Sequence, residues 1–161
     1  MYLIRGQHNL KLFKSRHPNV LLSGTIGNFD GLHLGHQAIL EKIKNNAQKY
    51  NAKTIVFFTE PHAAEYFSKV RDQNQIPPPR ICPWREKFQL LKKSKIDFAC
   101  FLKFNSKLRT MSPDDFISQI LDSINLVSFT VGDDFRFGAG RKGDTDLLKN
   151  WGEKKGILVE N

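Results

Sequence analysis

Apolar, β-branched runs alternate with amphipathic stretches along this sequence, and that alternation restricts its fold more than any other feature. "VLLSGTIGNF" (20–29) reads as a buried strand, and "LGHQAILEKIKNNAQKY" behind it as a helix with Ile39, Ile43 and Ala47 at helical spacing. "KTIVFF" (53–58), "DFACFLKF" (97–104), "LVSFTVG" (126–132) and "GILVE" (156–160) supply four more strands. Helical segments fall near 85–93, after Ser112, and over "TDLLKNWGEKK", while Pro77 to Pro79 interrupt the approach to the first of these. Ser112 offers a capping hydroxyl, Pro113 suits a first turn, and Asp114 and Asp115 complement the helix dipole, so this helix is predicted to run to about residue 124. Strands joined by helical crossovers lie parallel, which predicts an α/β fold with a doubly wound, largely parallel sheet and helices on both faces. Ligands bind such sheets beyond the carboxyl ends of the strands, which directs attention to 28–36, 59–66 and 132–143.

A chain of 161 residues suffices for one domain with its own core. No apolar run approaches the roughly 20 residues that cross a bilayer, and "MYLIRGQHNLKLFKSRHP" lacks the apolar core and small-residue cleavage site of a secretory signal. A cytoplasmic protein with no membrane partner is expected. Cys82 and Cys100 are too far apart for a CxxC pair and read as reduced packing residues. The formal charge of +9 suits nucleic acid, an anionic surface or phosphorylated small molecules equally. The lysines cluster in "EKIKNNAQKY" and "REKFQLLKKSK", where a solvated helix face explains them, and no nucleic-acid motif accompanies the charge.

"GTIGNFDGLHLGHQAIL" (24–40) carries the densest chemistry. With a strand ending near Phe29 and a helix starting near Leu34, His33 stands at the helix start and His36 in its first turn, on one face. A helix N-terminus presents unpaired N–H groups and a positive dipole end, the ingredients of a phosphate site. Gly31 and Gly35 allow tight turning and close backbone approach. Either histidine alone reads as surface chemistry of no consequence; HxGH directly after a buried strand reads as a site for a phosphate chain.

The stretch "IGNFDGLHLGHQ" resembles the nucleotidylyltransferase signature of the bacterial bifunctional riboflavin kinase/FAD synthetases, in their N-terminal FMN adenylyltransferase module. "FTEPHAAEYF" (58–67) is similar to that family's FEPHP-type segment, "RICPWREKFQLL" to its R-x-K-x-x-x-L helix, and "VGDDFRFGAGRKGD" (131–144) to its VGxDFRFGxxRxGD loop. The resemblance covers essentially the whole chain. It implies a Rossmann-like nucleotidylyltransferase fold and adenylyl transfer from ATP to FMN, giving FAD and pyrophosphate. His33 and His36 would then be catalytic, hydrogen-bonding the ATP phosphates, with Gly27, Asn28, Phe29, Asp30, Gly31 and Gly35 forming the ATP site around them. Mg²⁺ would accompany ATP, retaining most of its waters, through ligands the sequence does not name. Asp134, Phe135, Arg136, Phe137 and Arg141 are expected at the FMN site, since flavin offers a flat ring for stacking and a phosphate for a cation. The competing reading makes those aromatics local core beneath a folded cover. Glu60, Pro61 and His62 suggest a structural or pocket-lining role, because an anionic phosphate nucleophile needs no general base.

Two departures from the family pattern stand out. Ala63 replaces the second proline of EPHP, and nothing within the 161 residues resembles the ISSTxxR-type segment or the riboflavin kinase barrel that follow in family members. The resemblance therefore implies one adenylyltransferase domain over 1–161, incomplete at its carboxyl end and without a kinase domain: a fragment, a truncated product or half of a split enzyme. A catalytically silent flavin- or nucleotide-binding remnant and another HxGH small-molecule nucleotidylyltransferase are the rival expectations. Oligomeric state is left open.

Overall fold

A computed structural model describes residues 1–71 and 83–161. Its strands are β1 (Tyr2–Arg5), β2 (Leu22–Ile26), β3 (Lys53–Glu60), β4 (Phe98–Lys103), β5 (Leu126–Thr130) and β6 (Leu158–Glu160). They form one sheet in the order β1-β4-β3-β2-β5-β6, and every pairing is parallel. The helices are α1 (Leu10–Arg16), α2 (Leu34–Lys49), α3 (Ala63–Arg71), α4 (Trp84–Lys93), α5 (Ser106–Thr110), α6 (Pro113–Phe116) and α7 (Thr145–Lys155). The expected doubly wound α/β architecture is present, with one strand more than the five expected from the sequence. Pro77 to Pro79 and Cys82 lie outside the described residues.

Both faces of the sheet are buried, so its strands read as near-continuous apolar runs rather than alternating ones. On one face Ile55, Phe57 and Phe129 join Phe13 of α1, Phe116 of α6, and Leu148 and Trp151 of α7. On the other, Val56, Phe58 and Ala99 meet Leu40 and Ile43 of α2 and Leu91 of α4. Small hydroxyl side chains occupy the seam between β2 and β5: Ser128 donates to Ser23 at 2.7 Å, and Thr25 stands in register with Thr130. Cys100 is a buried free thiol in β4 whose titration burial pushes far up, consistent with a packing role.

Winding direction reverses within this order, and the reversal locates the site. From β2 the chain moves outward through β3 to β4, then returns to place β5 and β6 on the opposite side of β2. The carboxyl ends of β2 and β5 therefore flank a topological switch point. Two expected boundaries move. β2 ends at Ile26 rather than near Phe29, which instead lies in left-handed backbone in the turn beyond it. The helix capped by Ser112 widens into a π turn over Ile117–Leu121 and ends there rather than at about 124. Its start is as read: Ser112 Oγ accepts from Asp115 N–H at 3.0 Å, with Pro113 in the first turn.

Candidate functional site: a paired-histidine turn

Between β2 and α2 the chain takes seven residues to reverse from strand to helix, and it does so at a conformational cost. Phe29 (φ 47°) and Leu32 (φ 41°) both adopt the left-handed region, as does Gly31 (φ 72°). For the two non-glycine residues this costs roughly 1–2 kcal/mol each. Both side chains are buried in the cluster beneath the turn, with Phe58, Leu40 and Ile43, and burying Phe29 contributes about 2 kcal/mol in return. Gln37 Nε2 donates to Leu32 O at 2.9 Å and ties the turn to the first turn of α2. Such paid-for strain is common at ligand sites.

The strain presents the histidines. His33 is the N-cap of the 16-residue α2, and its Nδ1 accepts a long hydrogen bond of 3.4 Å from His36 N–H. The imidazoles stack with centroids 3.7 Å apart at 26°, and His36 rests on buried Phe29 at 4.9 Å. Gly35 serves the histidines directly: a β-carbon there would come within 3.2 Å of His33 Cε1. Gly27 behaves alike toward Phe29, at 3.1 Å from the ring. In the first turn, the N–H groups of Leu34 and Gly35 have no carbonyl to reach within the helix and point out of its end. Beside them the Leu34 side chain is 82% exposed.

Burial, then the charges of His33 and Lys87, push the His36 pKa down from 6.5 to about 4, against a smaller opposing effect of Asp30. His36 is therefore neutral at pH 7. Its Nδ1 is buried with no hydrogen-bond partner. Because unpaired buried donors are rarer than underused acceptors, the proton belongs on Nε2. The bond to His33 Nδ1 selects the same tautomer for a neutral His33. The turn thus carries two stacked imidazoles with Nε2–H donors at a helix N-terminus.

The loop after β5 leaves the same end of the sheet. Phe137 is core: its backbone pairs with Gly143 in both directions at 3.0 and 2.9 Å, and its buried ring stacks on Phe135 at 5.7 Å and meets Phe116 at 5.2 Å. A β-carbon at Gly143 would stand 2.7 Å from that ring, so this glycine lets the loop close over it. Arg136 lies 3.8 Å from Asp144, the N-cap of α7. Asp134 and Arg141 (φ 58°) belong to the same loop. At the start of α3, His62 Nδ1 accepts from Ala64 N–H at 3.2 Å.

The sequence profile of the FAD synthetase family matches residues 15–161. The chain belongs to the FAD synthetase family. The bifunctional riboflavin kinase/FMN adenylyltransferase of Buchnera aphidicola subsp. Acyrthosiphon pisum is 41% identical over 155 residues, 96% of this chain and 46% of that protein. Proteins of the same description from Escherichia coli K12 and Haemophilus influenzae are 38% and 34% identical, covering 99% and 100% of this chain and 48% and 49% of their own lengths. This FAD synthetase family chain spans about half the length of the curated relatives it matches. A crystal structure described as a macrolide-efflux protein from Streptococcus pneumoniae superposes with a TM-score of 0.78 at 20% identity, over 100% of this chain and 58% of the other, which establishes a shared fold.

One residue beside this family's histidine turn was read only as part of the R-x-K-x-x-x-L helix and of a solvated lysine face. Lys87 lies in the first turn of α4, is 4% exposed, and holds its ammonium 5.2 Å from the ring centre of Phe58. Its signal was the apolar stripe it interrupts: Leu91, four residues on, is fully buried.

Proposed function

We propose that this chain catalyses adenylyl transfer from ATP to FMN, producing FAD and pyrophosphate, with the histidine turn as the phosphate site. The observation that carries the reading is the stacked His33–His36 pair at the N-terminus of α2, which sets imidazole donors beside a helix dipole. An FMN phosphate oxygen attacks the α-phosphorus in line as the bond to the pyrophosphate oxygen breaks. Catalysis is then mostly positioning and charge stabilisation. His33 and His36 donate to phosphate oxygens through Nε2–H, and the Leu34 and Gly35 N–H groups supply backbone donors. Asn28, Asp30 and Gly31 edge the nucleotide pocket, and Gly27 and Phe29 set its floor.

Mg²⁺ arrives with ATP, spreading phosphate charge. Held mainly by phosphates and water, such an ion needs few protein ligands; among the described residues no three His, Cys, Asp or Glu side chains gather as a metal cage. Flavin lies along the loop after β5, where Phe135 offers a stacking surface and Arg136 and Arg141 offer cations; Asp134 borders them and Phe137 holds the loop from inside. A cytoplasmic setting suits these metabolites, and among the described residues no helix is long and apolar enough to cross a membrane.

Acceptor choice tests the assignment. Offered FMN, riboflavin, phosphopantetheine and glycerol 3-phosphate separately with Mg²⁺ and ATP, the protein is expected to release pyrophosphate only with FMN. Release with another phosphorylated acceptor in its place would move the chain to a different transferase activity.

A further inference from the structure

β1 closes the sheet on one side, and its outer edge is open. Tyr2 N–H donates to Asp97 O at 2.7 Å and Gly6 N–H to Phe101 O at 2.9 Å, which sets the even-numbered positions against β4. Successive residues of a strand alternate in direction, so the backbone groups of Leu3 and Arg5 turn outward. Asn9 Nδ2 donates to Arg5 O at 2.6 Å from that side. The N–H groups of Leu3 and Arg5 and the carbonyl of Leu3 have no strand beside them among the described residues. A cleft of about 260 Å³ runs along this edge. It touches all four residues of β1, although Leu3 packs on one face of the sheet and Ile4 on the other, and only a cleft that follows the backbone edge meets both. Its other wall is the face of α1 that runs from the N-cap Asn9 through Leu12 and Phe13 to Arg16.

We propose that this cleft binds an acidic peptide segment in extended conformation, added to the sheet as a further strand outside β1. A groove between a free strand edge and a helix suits strand addition: backbone hydrogen bonds supply affinity, and the flanking walls read alternate side chains. Tyr2 and Leu12, 52% and 45% exposed, offer apolar surface to those side chains. Buried Phe13, whose ring lies 4.9 Å from those of both His17 and Phe98, forms a firm base. Charge selects the partner. The first 29 residues contain no Asp or Glu, and among the described residues neither Arg5 nor Arg16 forms an ion pair. A second copy of this chain would set these cations against their own kind, because a two-fold contact brings like surface to like. A charge such as Arg5 can also guard an edge against pairing, but the exposed tyrosine and leucine in the same cleft work against that purpose. The proposal is independent of the adenylyltransferase reading, since β4 and β3 separate β1 from β2 and its histidine turn.

Binding of a short, fluorescein-labelled peptide of alternating glutamate and valine to wild-type protein, followed by anisotropy and by amide hydrogen exchange, tests this. Saturation with the peptide is expected to slow exchange at Leu3 and Arg5, whose amides face outward. A lysine–valine counterpart should bind less well, and a glutamate–valine peptide N-methylated at every residue, which cannot donate to a strand edge, should not bind. Arg5→Gln/Arg16→Gln is expected to weaken the glutamate–valine peptide about fivefold, the worth of two exposed ion pairs. Both arginine side chains are exposed, so this variant should keep the fold. No binding of the glutamate–valine peptide, binding without protection of Leu3 and Arg5, or equal binding of the lysine or N-methylated peptide overturns the proposal. Sedimentation of the protein alone completes the test: a dimer in which those same two amides are protected would assign the edge to a second copy and overturn the peptide partner.

Discussion

Their spacing, their stacking and the N-cap bond place the His33 and His36 imidazoles side by side at the start of α2. His33→Ala or His36→Ala is expected to cut turnover by about a hundredfold, the scale of losing one preorganised donor to a developing oxyanion; steady-state FAD formation by each variant checks it. Arg136→Ala should raise the dissociation constant for FMN more than that for ATP, since its neighbours belong to the loop after β5 and not to the histidine turn. Equal changes in both would remove the loop from the flavin site. The depressed pKa of His36 gives stability a pH dependence. The unfolded chain binds a proton near pH 6.5 and the folded chain only near 4. The contribution is thus fully present above 6.5 and lost as pH falls from 6.5 towards 4. Urea midpoints should decline across that window in wild-type protein and less steeply in His36→Gln.

Elements explain why the glycines stand where they do. Gly35 lies inside α2, where alanine would favour the helix by up to about 1 kcal/mol, yet its missing β-carbon makes room for the His33 ring. Gly35→Ala should therefore leave the melting temperature unchanged or higher while lowering turnover about tenfold as that ring is displaced; paired thermal melts and rate measurements decide it. Loss of stability with normal turnover would mean that Gly35 serves folding instead. This trade was only half legible in the sequence. HxGH announced a helix start and a close approach, but the approach is of a histidine ring as well as any ligand. Local signals placed α7 residue for residue and the Ser112 cap correctly, because a capping hydroxyl, proline and acids act within a few residues. β1 was missed: four residues pair with β4 nearly a hundred positions away, a tertiary decision with little local trace. β2 stops short of Phe29, which with Leu32 is both left-handed and buried below the turn, a combination propensity cannot anticipate.

Across the whole molecule, strand order brings these local features to one end of the sheet. The returning crossover sets β5 beside β2, so the histidine turn and the aromatic loop leave neighbouring parallel strands at the same end of the sheet. The +9 charge fits phosphorylated substrates, and Lys87 shows that one cation is buried rather than spread over a solvated face. Helix-face reasoning treated that lysine like its neighbours because composition does not distinguish a lysine facing water from one facing phenylalanine. The central claim is that the paired histidines support FMN adenylylation. The most direct measurement is to incubate the purified 161-residue chain with FMN, ATP and Mg²⁺ and to separate the flavins by chromatography, beside the His33→Ala/His36→Ala double variant. The account predicts FAD in proportion to wild-type protein and almost none from the double variant. No FAD from wild-type protein, or equal FAD from both, would contradict it.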